Sequence, residues 1–278
     1  MLPVKYHIEQ IDPPRSPRET LPTMYDLPSE DPAETGLPDE FHLWQADLLS
    51  YTFCPPNYAT EQVFVGSDLN LYYDPQHTGW YKRPDWFAVV GVSRLYAGQD
   101  LRLSYVFWQE GVRPAVVVEL LSPSTRNEDL GQSHRKAASE KPGEESSVNE
   151  KPPTKWEVYE QVLGIPYYIL FDRYNNDELQ AFQLEGGRYR KLALSEPKVW
   201  IPTLELNLAL WQGEFRGKER QWLRWYDAAG KLVLTEAEQE RQRANQTEAL
   251  LVQEQQRAAR LAERLRQIGV DPDAEGLI

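Results

Sequence analysis

Three charged residues stand where charge is expensive. Asp85 follows Pro84 at the mouth of the apolar run WFAVV, Glu119 closes the run Ala115 to Val118, and Lys155 opens the segment KWEVYEQVLG. A run as short and apolar as Ala115 to Val118 reads as a strand buried on both faces. A carboxylate at the end of such a strand is costly to desolvate unless it is paired or binds a cation. Two such carboxylates on neighbouring strands can share one Mg²⁺, or the similar Mn²⁺, since hard cations prefer oxygen ligands. A nearby Lys can orient or deprotonate a water and stabilise developing phosphate charge. Together the three suit hydrolysis of a phosphodiester. Each also has a plain reading: Asp85 can cap a turn, and Lys155 can be solvated, although a cation is oddly placed at a helix start. Glu119 inside VVVELL is the hardest to dismiss.

Other candidates carry less. His42 sits on a first helix whose face could approach the sheet edge, or is a satisfied surface or core histidine. Asp129, in NEDLGQ, could support the site from behind or be a solvated loop acid, and Asp68, in GSDLNLYYD, has the same ambiguity. Asp172 ends YYILFD and most simply terminates a strand. Cys54, beside Pro55-Pro56, has no obvious base and reads as structural. Ser122 and Ser124 lie in no G-x-S-x-G elbow, so serine hydrolase chemistry has little support. No G-x-x-x-x-G-K-[ST] loop occurs, so nucleotide-driven chemistry has none.

The elements that must position these residues follow from periodicity. A helix begins near Pro38, with Asp39 as its cap and Phe41, Trp44 or Gln45, Leu48 and Leu49 at helical spacing. Strands are expected within 57–74, over WFAVV, over LRLSYVFWQE, over RPAVVVELL and over IPYYILFDRY, with a hairpin turning at Gly186-Gly187. Thr154 and Glu157 form a capping box for a helix ended by Gly164. Trp200, Trp211, Trp222 and Trp225 mark extra strands at the domain edge. These elements predict an α/β fold. Residues 1–37 form a Pro-rich acidic arm, 38–230 one domain, and 126–154 a mobile insertion poor in large apolar residues. Residues 235–268 read as a helix opened by a second capping box, Thr235 and Glu238. A heptad register places Ala244, Leu251, Ala258 and Leu265 at one seam position and Thr247, Glu254, Leu261 and Ile268 at the other.

The totals bound the rest. The chain has 278 residues, 41% of them apolar and 12% aromatic, including nine Trp, which excludes a largely disordered chain. One Cys excludes an intrachain disulfide framework and a Cys-based zinc site. No apolar run reaches the ~18 residues that suggest a membrane helix. The N-terminus lacks a signal peptide's apolar stretch, so a cytoplasmic protein is expected. Thirty basic against 43 acidic residues give a net charge of −13. That disfavours loose, sequence-independent nucleic-acid binding. It leaves room for a nuclease, whose metal sites are themselves acidic.

RPDWFAVVGV, PAVVVELLSPST and KWEVYEQVLGIPYYILFD, in this order, resemble the Uma-type family of restriction endonucleases within the PD-(D/E)XK nuclease superfamily. The resemblance covers roughly residues 38–195. It implies a restriction-endonuclease-like mixed sheet flanked by helices, with Asp85 and Glu119 as metal ligands and Mg²⁺ or Mn²⁺ as cofactor. Leu121 stands where the superfamily's plain pattern has Lys, and the resemblance moves that role to Lys155, four residues before Tyr159. The implied function is a Mg²⁺-dependent endonuclease cutting DNA. The thin apolar stripe of the C-terminal coiled-coil helix itself calls for a partner helix, most simply a second copy in a homodimer, with a partner protein as the alternative. The rival class is a non-catalytic module that kept the scaffold and acts in protein interaction through that helix.

Overall fold

The computed structural model describes residues 39–123, 125–131 and 151–269. The acidic arm, Ser124 and most of the insertion lie outside the described residues. The two apolar runs are adjacent strands, β4 (Trp86–Val90) and β6 (Val116–Leu120), paired antiparallel with Trp86 opposite Val118. β1 (Val63–Gly66) pairs antiparallel on the outer side of β4. β7 (Tyr167–Asp172) pairs parallel with β6, and the hairpin of β8 (Glu178–Glu185) and β9 (Arg188–Lys191) completes a six-stranded sheet ordered β1-β4-β6-β7-β8-β9. Two short strands, β2 (Leu71–Tyr72) and β3 (Tyr81–Lys82), join β5 (Tyr105–Val106) in a small side sheet.

Strand alternation divides the core between two faces. On one face Trp86, Ala88, Val118, Ile169 and Phe171 meet helix α1 (Glu40–Thr52) and a third sheet of β10 (Lys198–Ile201), β11 (Leu206–Phe215) and β12 (Lys218–Tyr226). On the other, Phe87, Val89, Val117, Tyr168 and Leu170 meet Trp156, Val158 and Tyr159. The fold is therefore α/β, a mixed sheet with helices on both faces. The aromatic 195–230 segment is more than an edge. Phe41 stacks on Trp222 at 5.7 Å and Phe53 meets Trp225 at 5.2 Å, so its sheet closes the core over α1. Of the two residues at the open helical position, Gln45 is the buried one. Its amide donates to the Leu223 carbonyl at 2.9 Å and accepts from the Leu223 N–H at 2.8 Å, which docks α1 onto β12.

Two segments differ from expectation. LRLSYVFWQE gives only the two strand residues of β5. It then turns into a short helix, α2 (Phe107–Glu110), stopped by Gly111 at φ 70°. The Arg102–Glu110 ion pair, 2.7 Å and nearly buried, folds this stretch back on itself. Beyond it, α3 (Arg126–Asp129) is a single turn. The helix opened by the Thr154 capping box, α4 (Lys155–Glu157), widens into a π turn over Val158–Val162. That turn buries Val158, Tyr159 and Glu160 in succession. Glu160 is satisfied there by Arg188 at 2.9 Å and the Tyr189 N–H at 2.7 Å.

The last helix, α5 (Glu236–Gln267), starts at the Thr235–Glu238 capping box, and none of its residues is buried. Its first turn is fastened by Arg224, which is fully buried, lies 4.4 Å over the Trp211 ring and donates to Glu238 at 2.8 Å. Among the described residues no helix is long and apolar enough to cross a membrane. Gln45→Leu should lower the unfolding free energy by about 2–4 kcal/mol, because it orphans both Leu223 backbone groups. Urea melts of the two proteins measure this.

Candidate active site

The β4–β6 register carried one step outward sets Asp85 opposite Glu119. Strand alternation then aims both carboxylates at the face carrying α4, opposite the α1 face. The Asp85 N–H lies 3.4 Å from Glu119 Oε2, and Asp85 Oδ2 accepts from the Leu120 N–H at 2.6 Å. From α4, Lys155 Nζ donates to Glu119 Oε2 at 3.0 Å, and one turn on, the Tyr159 hydroxyl donates to Glu119 Oε1 at 2.9 Å. The Lys155–Tyr159 spacing thus grips both oxygens of one carboxylate. The structure brings Asp85, Glu119 and Lys155 into one cluster at the end of the sheet.

Asp129 joins them. It is 1% exposed, and its Oδ1 lies 2.9 Å from Lys155 Nζ. His42 also reaches the site. Its Nε2 donates to the Leu120 carbonyl at 3.0 Å and its Nδ1 to Asp39 Oδ1 at 2.8 Å, and Asp39 in turn pairs with Arg173. Of the other candidates, Asp68 borders the cluster: its N–H donates to the Pro84 carbonyl at 3.1 Å, and it lines one small cavity with His42 and Asp85. Asp68 is exposed with φ 49° and lies 3.6 Å from Arg83. Asp172 is buried at the end of β7 and pairs with Arg126. Cys54 is free and exposed. Ser122 makes a local turn with Thr125, its hydroxyl 3.1 Å from the threonine's.

Sequence reasoning missed Lys82 and Glu128. The Lys82 side chain is largely buried, with Nζ 3.7 Å from Glu128 Oε1, and the same oxygen lies 3.4 Å from the Lys155 N–H. The only signal was a basic pair just before Pro84-Asp85, which is common on any surface.

Charge explains the electrostatics. Burial raises the Glu119 carboxyl well above its ordinary range, and Asp85 and Asp129 add to this while Lys155 opposes it. Asp85 is raised for the same first reason, with Lys155 and His42 opposing. Burial disfavours the Lys155 ammonium, but Asp129, Glu119 and Asp85 outweigh it and hold its pKa well above the usual lysine value. Burial pushes Lys82 down, assisted by the charge of Lys155. His42 is raised: burial works against the imidazolium, but both ring nitrogens face acceptors and Asp39 and Asp85 supply negative charge.

The donor chemistry fits a hard divalent cation, because Asp85 and Glu119 offer only oxygens. Among the described residues, no group of three or more Asp, Glu, His or Cys residues could hold a metal ion by itself. A magnesium ion commonly takes one or two carboxylates and fills its shell with waters and substrate phosphate oxygens, so a pair is enough.

Residues 18–213 match the model of the Uma2 family, described as putative restriction endonucleases, and the chain belongs to that family. Among solved structures it is similar to the crystal structure of a putative nuclease of DUF820 from Anabaena variabilis. The identity is 12% and the TM-score 0.36, over 61% of this chain and 75% of that one. A comparison with curated proteins gave no match.

The raised Glu119 carboxyl has a consequence for stability. In the window between its ordinary and its raised pKa, the folded state binds more protons than the unfolded state, so stability falls as pH rises through that window. Glu119→Gln removes this penalty and keeps an acceptor for Tyr159. The metal-free variant should melt at or above the wild-type temperature at neutral pH, and the difference should shrink as pH falls into the ordinary carboxylate range. Thermal melts across pH, with chelator present, check the sign.

Proposed function

We propose that this protein is a Mg²⁺-dependent endonuclease that hydrolyses phosphodiester bonds in DNA, with Mn²⁺ able to substitute. The observation that carries the proposal is the meeting of Asp85, Glu119 and Lys155 at one end of the sheet. Family membership supports a nuclease and hence a nucleic-acid substrate.

Asp85 and Glu119 would hold the cation. When bound, the metal would polarise the phosphate and lower the pKa of a bound water. Lys155 stays charged, so its role is that of an ammonium: it places the attacking water or the phosphate and offsets charge developing on the phosphate oxygens. Tyr159 keeps the Glu119 carboxylate facing the site. Hydrolysis adds water across one P–O bond and leaves a phosphate monoester and a hydroxyl. Lys82 and Arg83 beside Asp85, and Arg126 on the turn that carries Asp129, are basic, but they already face Glu128, Asp68 and Asp172, so a polyanion would have to compete with those carboxylates for them. The non-catalytic reading accounts for α5 but gives no reason to bury Glu119 and Asp129 around one lysine.

With Mg²⁺ or Mn²⁺ the protein should nick supercoiled DNA. Asp85→Asn and Glu119→Gln should abolish nicking, and Lys155→Ala should lower its rate by roughly 10²–10³-fold, the scale of losing one charge-stabilising donor. Gel assays on proteins whose folding is verified by circular dichroism test this. Equal rates in wild type and variants would point to a contaminant.

The proposal includes a homodimer through α5. An unaccompanied helix of this length gains little from propensity alone, and its stripe seeks a partner helix. Leu251, Leu261 and Ile268 of the seam are all more than half exposed. The full-length protein should sediment as a dimer at micromolar concentration, and Leu251→Lys with Leu261→Lys should make it monomeric. A wild-type monomer at tens of micromolar removes α5 as a self-association device.

A further inference from the structure

Asp129 is not one of the two carboxylates proposed to hold the cation, yet it is buried against the same ammonium. Lys155 Nζ divides its contacts almost equally, 2.9 Å to Asp129 Oδ1 and 3.0 Å to Glu119 Oε2. Asp129 Oδ1 is buried and has no hydrogen bond of good geometry from any described residue. Lys155 is thus its one charge partner among the described residues. A buried carboxylate so poorly supported costs the fold stability, and an asparagine would fill the same space without that cost.

The backbone nevertheless fixes Asp129 in place. Its carbonyl accepts from the Tyr168 hydroxyl at 3.0 Å, and its N–H donates to the Thr125 carbonyl at 3.0 Å. Two residues on, Gly131 takes φ +65° against Trp156, where a Cβ would stand 2.8 Å from the ring. The turn is clamped between β7 and α4, and Asp129 cannot follow Lys155 if the lysine moves.

This clamp matters once a cation arrives. Glu119, now gripped by Lys155, is one of the two carboxylates proposed to hold the cation, and two positive groups would then compete for it. The metal would repel the ammonium toward solvent unless another fixed anion held it. We infer that Asp129 is the positioning residue for Lys155, holding its ammonium at the site when Glu119 turns its charge to a cation. The inference rests on the nuclease reading.

The test uses the full-length protein and Asp129→Asn, with three readouts: Mn²⁺ binding by electron paramagnetic resonance, the Lys155 ammonium resonance under saturating Mg²⁺, and kcat and KM for nicking. Asp129→Asn should bind Mn²⁺ as wild type does and keep its KM. Its kcat should fall roughly 10²-fold, the scale of a catalytic group misplaced by about an ångström. The ammonium resonance should persist in Mg²⁺-loaded wild type and broaden away in the variant. If Asp129→Asn does not fold, Asp129→Ser carries the same expectations. An unchanged kcat with an unchanged Lys155 resonance overturns the inference and leaves the nuclease reading intact. A large loss of Mn²⁺ affinity also overturns it, because Asp129 would then be a ligand. A wild type that neither binds Mn²⁺ nor cuts nucleic acid overturns the nuclease reading and this inference with it.

Discussion

One ammonium faces three carboxylates at the end of the central sheet. If Asp85, Glu119 and Asp129 were all ionised, Lys155 would balance only one of the three charges, and the His42 ring that also faces Asp85 is already paired with Asp39. In water this would matter little. Glu119 is fully buried and Asp129 nearly so, and there the effective dielectric is low and the imbalance is expensive. The raised carboxyl groups express that cost. Relief comes from a proton or from a cation. The surrounding structure denies a third escape, which is for the acids to swing out into solvent. Glu119 is anchored by the buried valines behind it and gripped through both oxygens, and Asp129 hangs from a clamped turn.

Leu120 joins the layers around that cluster. Its N–H goes to Asp85 and its carbonyl takes the His42 ring, so the backbone of one residue links β6, the start of the strand β4 beside it and the helix α1 on the opposite face. The position of α1 therefore bears on the site although α1 supplies neither carboxylate. Its seating depends in turn on Gln45 against Leu223 and on Phe41 between Phe171 and Trp222. The third sheet, remote from the acids in sequence, enters the site's geometry by this route.

The two acids were legible because each breaks a local rule. A carboxylate abutting an unbroken apolar run has to be explained, whatever surrounds it. Thr154 with Glu157 and Thr235 with Glu238 were legible because a capping box is written in four consecutive residues. Lys82 broke no such rule, and Asp129 stood out only as a loop acid that could equally be solvated. Both lie in polar stretches where a charged residue is ordinary, and their burial is created by elements distant in sequence: β2 pairing with β3, and Tyr168 with Trp156 closing over the turn at 126–131. The strand expected over 101–110 failed for a related reason. Its apolar pattern suited a strand, but the Arg102–Glu110 ion pair spans eight residues, beyond the reach of local periodicity.

Asp129 and Lys155 also show why separation along the chain does not weaken such a site. They stand at the two ends of the polar stretch 126–154, yet their elements meet through Lys155 with Asp129, the Lys155 N–H with Glu128, and Trp156 with Gly131. Closing a flexible loop costs only about 0.6 kcal/mol more for each doubling of its length. The length of chain between Asp129 and Lys155 thus adds little to the cost of bringing them together. The distance between the acid and its lysine can therefore drift without moving either side chain, while the spacing from Lys155 to Tyr159 cannot, because one turn of helix must set both donors on the two oxygens of Glu119. The Lys155–Tyr159 spacing sets the grip on Glu119, and the length of chain between Asp129 and Lys155 sets almost none of it.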